Sequence, residues 1–253
     1  MPVCQQCKAL LAPDGICSVC RGAEAQFTQL DPVVHRLSPG DAPPLRPVGR
    51  ILVPRLILID DDSDIEGEVQ RLRRTRTTIG RHGCDINLSN DADVSSLHAI
   101  IERDCDQSGR TRWHLSDQES TNGTFERIEE HGCGLTNEFL MGWTRIQIVS
   151  SESGDAADRL SIFVGGSRVD LKRSKSPITI GRDAKCDVTV NDPYADRRHA
   201  EIRLVRKRWM FCDQDSRNGL WVRQKGFLLK DASCFLIGGQ RFRFEIPAAE
   251  AIG

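Results

Sequence analysis

No stretch of this 253-residue chain stays apolar for anything near the roughly 20 residues that cross a bilayer, which excludes a helical membrane protein. The first twenty residues, MPVCQQCKALLAPDGICSVC, lack the basic region and following apolar region of a secretory signal. A formal charge of −1 gives no global pull towards nucleic acid. The short motifs of catalysis are missing too: there is no H-E-x-x-H, no G-x-S-x-G, no P-loop and no kinase signature. The DDDSD run at 60–64 reads as a solvated strand end or loop. No convincing amphipathic helix lies between the apolar segments. What remains is a soluble, cytoplasmic, non-enzymatic protein with 28% charged residues and a mean hydropathy of −0.39, long enough for about two domains and a small extra module.

Ten cysteines would suit a secreted disulfide framework, but their distribution argues otherwise. Cys4, Cys7, Cys17 and Cys20 crowd the N-terminus as C-x2-C-x9-C-x2-C, whereas Cys84, Cys105, Cys133, Cys186, Cys212 and Cys234 are scattered singly. The scattered six read as reduced thiols, most of them small core hydrophobes. Each C-x-x-C pair can close on one ion, and Asp14-Gly15 between the pairs favours the turn that brings them together. Four thiolates suit tetrahedral Zn2+ and leave no open position for catalysis. Lys8 and Arg21, each following the second cysteine of a pair, can offset part of the resulting negative charge. Over residues 3–22 the spacing resembles the zinc ribbon, and one structural zinc is the expectation for residues 1–24. A rubredoxin-type iron site, a protein-docking surface and a nucleic-acid contact are the alternatives. The segment has no aromatic residue to stack on bases, so nucleic acid is the weakest of these.

Residues 25–53 form a linker, with five prolines and two glycines in DPVVHRLSPGDAPPLRPVGR; His35 within it reads as solvated. Beyond it the chain repeats itself. TIGRHGCDI at 78–86 matches TIGRDAKCDV at 179–188, and DVSSLHAII at 93–101 matches ADRRHAEIR at 195–203. RTRWHLSDQESTNGTF at 110–125 matches RKRWMFCDQDSRNGLW at 206–221. A period near one hundred residues is a tandem domain duplication, not a solenoid. Short runs such as RLILID, HAII, LSIFV, FLLKDASCFLI and RFRFEI, bounded by turn residues, predict strands. Trp113 and Trp209 sit at strand spacing and read as core.

The order GR, S-x-x-H, S-T-N-G-T within an all-β segment resembles the forkhead-associated (FHA) domain, a reader of phosphothreonine peptides, over roughly residues 54–247. The resemblance implies an all-β fold: two tandem FHA-type β-sandwiches, 54–150 and 157–248, after the small Cys4 ribbon. It also implies a phosphopeptide site at Arg81, Ser95, Ser96, Thr121 and Asn122, with Gly80, His98 and Gly123 as motif residues that hold the loops. The chemistry suits the residues. A phosphothreonine carries about −1.5 to −2 charge and three acceptor oxygens, which an arginine fork and serine or threonine hydroxyls can meet. Asn122 can bond the peptide backbone, and the resemblance implies a small pocket for the extra methyl group that separates phosphothreonine from phosphoserine.

The second copy keeps Gly181, Arg182, His199, Asn218 and Gly219, but has Asp196 for the serine and Arg217 for the threonine. A carboxylate beside a phosphate dianion is repulsive. The expectation is therefore an altered site in which Arg217 pairs with Asp196 and closes the pocket. The alternative is phosphate capture by Arg182, Arg197 and Arg217. FHA-type readers commonly select on the third residue after the phosphothreonine, and Thr28 with Asp31 supplies a T-x-x-D candidate phosphosite in this same chain. The combined expectation is an adaptor whose partner is a threonine-phosphorylated substrate of a Ser/Thr kinase, with no membrane and no nucleic-acid partner. The alternative is a phosphate-independent scaffold or assembly protein whose ribbon and sandwiches bind protein or nucleic acid.

Overall fold

In the computed structural model the described residues are 53–59, 66–108, 110–134, 136–150, 159–172 and 176–247. The cysteine segment, the proline-rich linker up to residue 52, His35, Thr28 and the whole DDDSD run lie outside them. All described elements are strands. The first half gives β1 (Arg55–Ile59), β2 (Glu66–Arg71), β3 (Arg76–Gly80), β4 (Ile86–Asn87), β5 (Ala99–Cys105), β6 (Thr111–Asp117), β7 (Thr124–Ile128), β8 (Glu130–Gly132), β9 (Thr136–Met141) and β10 (Thr144–Ser150). The second gives β11 (Arg159–Val164), β12 (Ser167–Lys172), β13 (Ile178–Gly181), β14 (Val188–Thr189), β15 (Ala200–Val205), β16 (Arg208–Asp213), β17 (Leu220–Gln224), β18 (Gly226–Leu229), β19 (Cys234–Ile237) and β20 (Gln240–Glu245).

Period-two alternation explains these strands. In β6 Trp113 and Leu115 point inward while Arg112 and His114 face solvent; in β20 Phe242 and Phe244 are buried while Arg241, Arg243 and Glu245 are half-buried. The run FLLKDASCFLI is two strands, because a tight turn interrupts it: Ser233 N donates to Lys230 O at 3.0 Å, and Ala232 holds φ 63°.

The strands do not stay within their own sequence copies. One ten-stranded sheet runs β12-β11-β10-β9-β17-β7-β19-β20-β1-β2, and two five-stranded sheets run β14-β13-β15-β16-β8 and β18-β6-β5-β3-β4. β8 of the first copy pairs with β16 of the second, and β18 of the second pairs with β6 of the first. One core therefore joins Ile79, Ile101, Trp113 and Leu115 to Phe227, Phe235, Phe242 and Phe244. The other joins Phe139, Met141, Ile146 and Ile148 to Ile178, Ile202, Trp209 and Phe211. Each sandwich is completed by the last three strands of the other copy.

Chain connectivity supplies the physical reason. Only Glu129 separates β7 from β8, and only Lys225 separates β17 from β18. The tightest common hairpin needs a two-residue loop, so the chain cannot double back onto its own sandwich and continues into its neighbour. Where the halves meet, β7 and β17 are antiparallel, and Glu126 faces Val222. These positions are equivalent in the two copies, whose motifs are offset from Asn122 to Asn218, so a pseudo-twofold axis passes through this pair. The outer face of the ten-stranded sheet carries a third small cluster, Phe125, Trp221 and Leu236, with Leu140 against it.

Trp113 and Trp209 are core residues, 3% and 5% exposed. The six scattered cysteines are free, but the expectation of mostly buried thiols holds fully only for Cys212. Cys105 is exposed at the end of β5, and the other four are half-buried at loops and strand ends. Burial pushes the Cys133 thiol up to about 12. No helix among the described residues is long and apolar enough to cross a membrane.

Candidate functional site

The first set of motif loops lies at one end of its sandwich: Gly80-Arg81 after β3, residues 91–98 before β5, and residues 118–123 before β7. Backbone and side-chain bonds knit the three together. Arg81 N donates to Ser95 O at 2.9 Å, and Thr121 N donates to Ser95 Oγ at 3.2 Å. Ser95 N donates to His98 Nδ1 at 3.2 Å, and His98 Nε2 donates to Gly123 O at 3.2 Å. With Nδ1 an acceptor, His98 is the neutral Nε2–H tautomer. Burial holds its pKa below the ordinary histidine value, against weaker upward pulls from the Gly123 carbonyl and Asp117. His98 is thus a brace between loops.

Glycine is required twice. A Cβ at Gly80 would lie 2.2 Å from the Ser96 carbonyl oxygen, and Gly123 has φ +84° with the Arg223 guanidinium closed over it. Ser120 and Thr124 hydroxyls both donate to Asp117 Oδ2, at 2.6 and 2.7 Å, and Ser120 Oγ accepts from Gly123 N.

The groups left facing outward define what this end can bind. Arg81 is half-buried, and its buried Nε has no hydrogen-bond partner among the described residues. An unmatched buried guanidinium donor is costly and is a poised position for an anion. Ser95 Oγ accepts one bond and keeps its proton to donate. Thr121 and Ser96 are exposed, and Thr121 Oγ1 has no hydrogen bond among the described residues. Asn122 is more committed than its sequence role suggests. Its Nδ2 donates to Asp93 O at 3.0 Å and Asp93 Oδ1 at 3.2 Å, leaving the amide oxygen for a ligand N–H.

The second set repeats the frame. Arg182 N donates to Asp196 O, Asp196 N to His199 Nδ1, and His199 Nε2 to Gly219 O, at 3.0, 3.1 and 3.0 Å. Asn218 Nδ2 donates to Tyr194 O at 2.9 Å. Asp196 takes over the serine's structural bond, since its Oδ2 accepts Arg217 N at 2.7 Å. The expected guanidinium pair is not made among the described residues: the carboxylate is turned to the backbone N–H, and Arg217 is exposed at the groove. Arg182 Nε, unlike that of Arg81, donates to Ala195 O at 2.9 Å. Arg197 is exposed. A groove of about 410 Å³ is open here, lined by Arg182, Asp196, Arg217 and Asn218 with Trp143 and Tyr194, so the pocket is not closed.

Each loop set is anchored by the other copy's strands. Asp91 Oδ2 accepts Gly239 N at 2.8 Å, from the β19–β20 turn. Asp192 Oδ2 accepts Trp143 N at 2.7 Å and Thr144 Oγ1 at 2.8 Å, from the β9–β10 turn. Asp117 N donates to Lys225 O, and Asp213 N to Glu129 O, so the two one-residue crossovers are themselves held at the base of the loops. Trp143, Arg223 and Asp91 could not be found by reading either copy alone; only the equivalence of Asp91 with Asp192 was available as a signal.

The family model of the FHA domain matches the chain twice, at 77–132 and 178–241, so the chain carries two FHA domains; no catalytic domain is matched. No curated protein is found to be similar. Among solved structures, the chain is similar to Mycobacterium tuberculosis EmbR in complex with a low-affinity phosphopeptide. That match has 17% identity and a TM-score of 0.31 over 77% of this chain, and the chain spans only 25% of EmbR. It is also similar to the yeast Dun1 FHA domain in complex with a doubly phosphorylated peptide, at 18% identity and a TM-score of 0.31, covering 86% of this chain and 89% of that one. The Rv1747 FHA-1 domain of Mycobacterium tuberculosis matches at 24% identity and a TM-score of 0.22, over 44% of this chain and 97% of that domain.

Proposed function

We propose that this protein is a non-enzymatic adaptor that binds phosphothreonine peptides through its first loop set. The observation that carries the reading is the half-buried Arg81, whose Nε lacks an acceptor beside the open hydroxyls of Ser95 and Thr121. A phosphate dianion would supply that acceptor, with Arg81 as the charged clamp, Ser95 and Thr121 as hydroxyl donors, Ser96 as a further donor at the rim, and the Asn122 oxygen reading a peptide N–H. His98, Gly80 and Gly123 hold the frame. The Cys4 segment is proposed as a second interaction module built on one structural zinc. Phosphorylated Thr28 is proposed as a ligand for the loops within the chain or in a second molecule.

The test is fluorescence anisotropy of the full chain with a phosphothreonine peptide library, its unphosphorylated counterpart and the Arg81→Ala variant. Each charge-assisted hydrogen bond contributes about 1.5–3 kcal/mol, so losing an arginine fork should weaken binding by ~100-fold or more. Binding that is indifferent to both phosphate and Arg81 would replace this reading with that of a phosphate-independent scaffold.

A further inference from the structure

We propose that the groove beside the second loop set binds an unphosphorylated acidic peptide. One ligand carboxylate would sit between Arg182 and Arg217, and an adjoining apolar side chain would pack on Trp143 and Tyr194. This site is separate from the first loop set and does not depend on the reading given to it.

The aromatic wall is the first observation. Trp143 is 61% exposed and Tyr194 53%, with ring centroids 6.0 Å apart in an edge-to-face arrangement. Large aromatics so exposed at a groove are the residue type that dominates binding interfaces. They are also held in place. The buried Asp192 accepts Trp143 N through Oδ2 and Tyr194 N through Oδ1, at 2.7 and 2.9 Å, so one carboxylate fixes the backbone under both rings. A pair pre-positioned in this way loses little freedom when a ligand arrives. The equivalent positions at the first loop set are Gly239 and Asp93, so the wall belongs to the second groove alone.

Charge decides the ligand. The arginines lining the groove are Arg182, Arg217 and Arg241; Arg182 and Arg217 belong to the loops that also carry Asp196, which stands where the first set has a hydroxyl. Asp196 is locked there by the Arg217 N–H, so it cannot swing away from an incoming anion. The fixed Asp196 carboxylate repels the second negative charge of a phosphate dianion, whereas the single charge of a ligand carboxylate can be met by Arg182 and Arg217 beside it. Leu140, Trp221 and Leu236 also line the groove and give it an apolar floor. An acidic residue next to an apolar one satisfies both parts.

The experiment uses the full chain carrying Arg81→Ala, which silences the first loops. Labelled decapeptide libraries with a fixed central Asp, Asn or phosphothreonine are compared by anisotropy. Trp143 emission is followed alongside, because Trp113, Trp209 and Trp221 are all buried. The expected result is at least tenfold tighter binding of the Asp library than of the other two, with an apolar neighbour selected and a change in emission. Trp143→Ala and Arg217→Ala should each lose tenfold or more without a change in melting temperature, and Asp196→Ser should turn the preference towards phosphothreonine. Equal binding of Asp and Asn libraries, preference for phosphothreonine with Asp196 in place, no binding of any library, or indifference to both variants would each overturn the proposal. Self-association that Trp143→Ala abolishes would assign the aromatic wall to a second copy of the chain and overturn it too.

Discussion

Ending the chain after Ser150 would leave the whole first sequence copy, including every residue of its loop set, yet the strand exchange requires that this fragment fail to fold. The first core would lose Phe227, Leu229, Phe235, Ile237, Phe242 and Phe244, all buried against residues of the first copy. At about 1.5–3 kcal/mol for each large apolar side chain, the loss is roughly 9–18 kcal/mol, as large as the stability of a typical domain. The retained β9 and β10 would meanwhile present Phe139, Met141, Ile146 and Ile148 without the core they pack into. Circular dichroism melting and phosphopeptide anisotropy on residues 1–150 should show no cooperative transition and no binding. Co-expression with residues 151–253 should recover both, as a one-to-one complex that copurifies. A cooperative melt and phosphopeptide binding by residues 1–150 alone would refute the reasoning, since it would mean that 130–150 can close the first sandwich in place of 226–245.

The remaining predictions concern the loops and the N-terminal cysteines. Gly80→Ala should lower the melting temperature by several degrees and abolish phosphopeptide binding, because its Cβ would meet the Ser96 carbonyl at 2.2 Å and force the two loops apart; an unchanged melt would refute the packing argument. His98 and His199 are held below the ordinary histidine pKa by burial, so the unfolded chain binds more protons than the folded one below about pH 6.5. Their contribution to stability is complete above that pH and declines below it, approaching about 1.4 kcal/mol per pH unit for each histidine, and denaturant melts at pH 7.5 and 5.5 would read the difference. Metal analysis should find one zinc per chain, released by a thiol reagent and missing from a variant with Cys4 and Cys17 changed to serine; a full complement of zinc in that variant would exclude the four-cysteine site.

The parts of the molecule legible in its sequence are those where one residue type makes one kind of bond. The GR pair, the histidine and the S-x-N-G turn each mark a contact between loops, and the same contacts recur in both copies: His98 to Gly123, His199 to Gly219, Ser95 to Thr121 and Asp196 to Arg217. Alternation exposed the strands for the same reason. The exchange left almost no trace, because 130–150 and 226–245 are equivalent segments and either could complete either sandwich by pattern alone. Its mark is a single-residue connection, Glu129 or Lys225, which is visible only when strand ends are known to the residue. Asp196 and Arg217 suggested an ion pair because opposite charges were compared as side chains, whereas the carboxylate bonds the arginine's backbone. The scattered thiols carry no periodic context that would place them: Cys212 is buried and Cys133 and Cys234 pack against the cores, whereas Cys105 ends a strand in solvent.

The exchange also explains why the second copy keeps the frame of a motif whose ligand-facing residues it has altered. Gly123 of the first loops is covered by Arg223, and Gly219 of the second by Arg127, each arginine coming from the strand that follows the other glycine. Arg223 also donates to the Ser120 carbonyl and pairs with Glu138, while Lys225 receives the N–H of Asp117 at the base of the first loops. The course of β17 after Gly219 therefore sets the position of Arg223 and Lys225, and through them the turn that presents Thr121 and Asn122. Breaking the second frame would displace the first loops even if nothing ever bound to the second. Asp196 retains the one bond this geometry needs from the serine position, and Arg217 needs only its backbone N–H to receive it. The side chain at 217 is accordingly free to change chemistry, and that at 196 is free within the limit of a hydrogen-bond acceptor, while the frame at 199, 218 and 219 is not, which is how one body can hold two loop sets of the same shape and different charge.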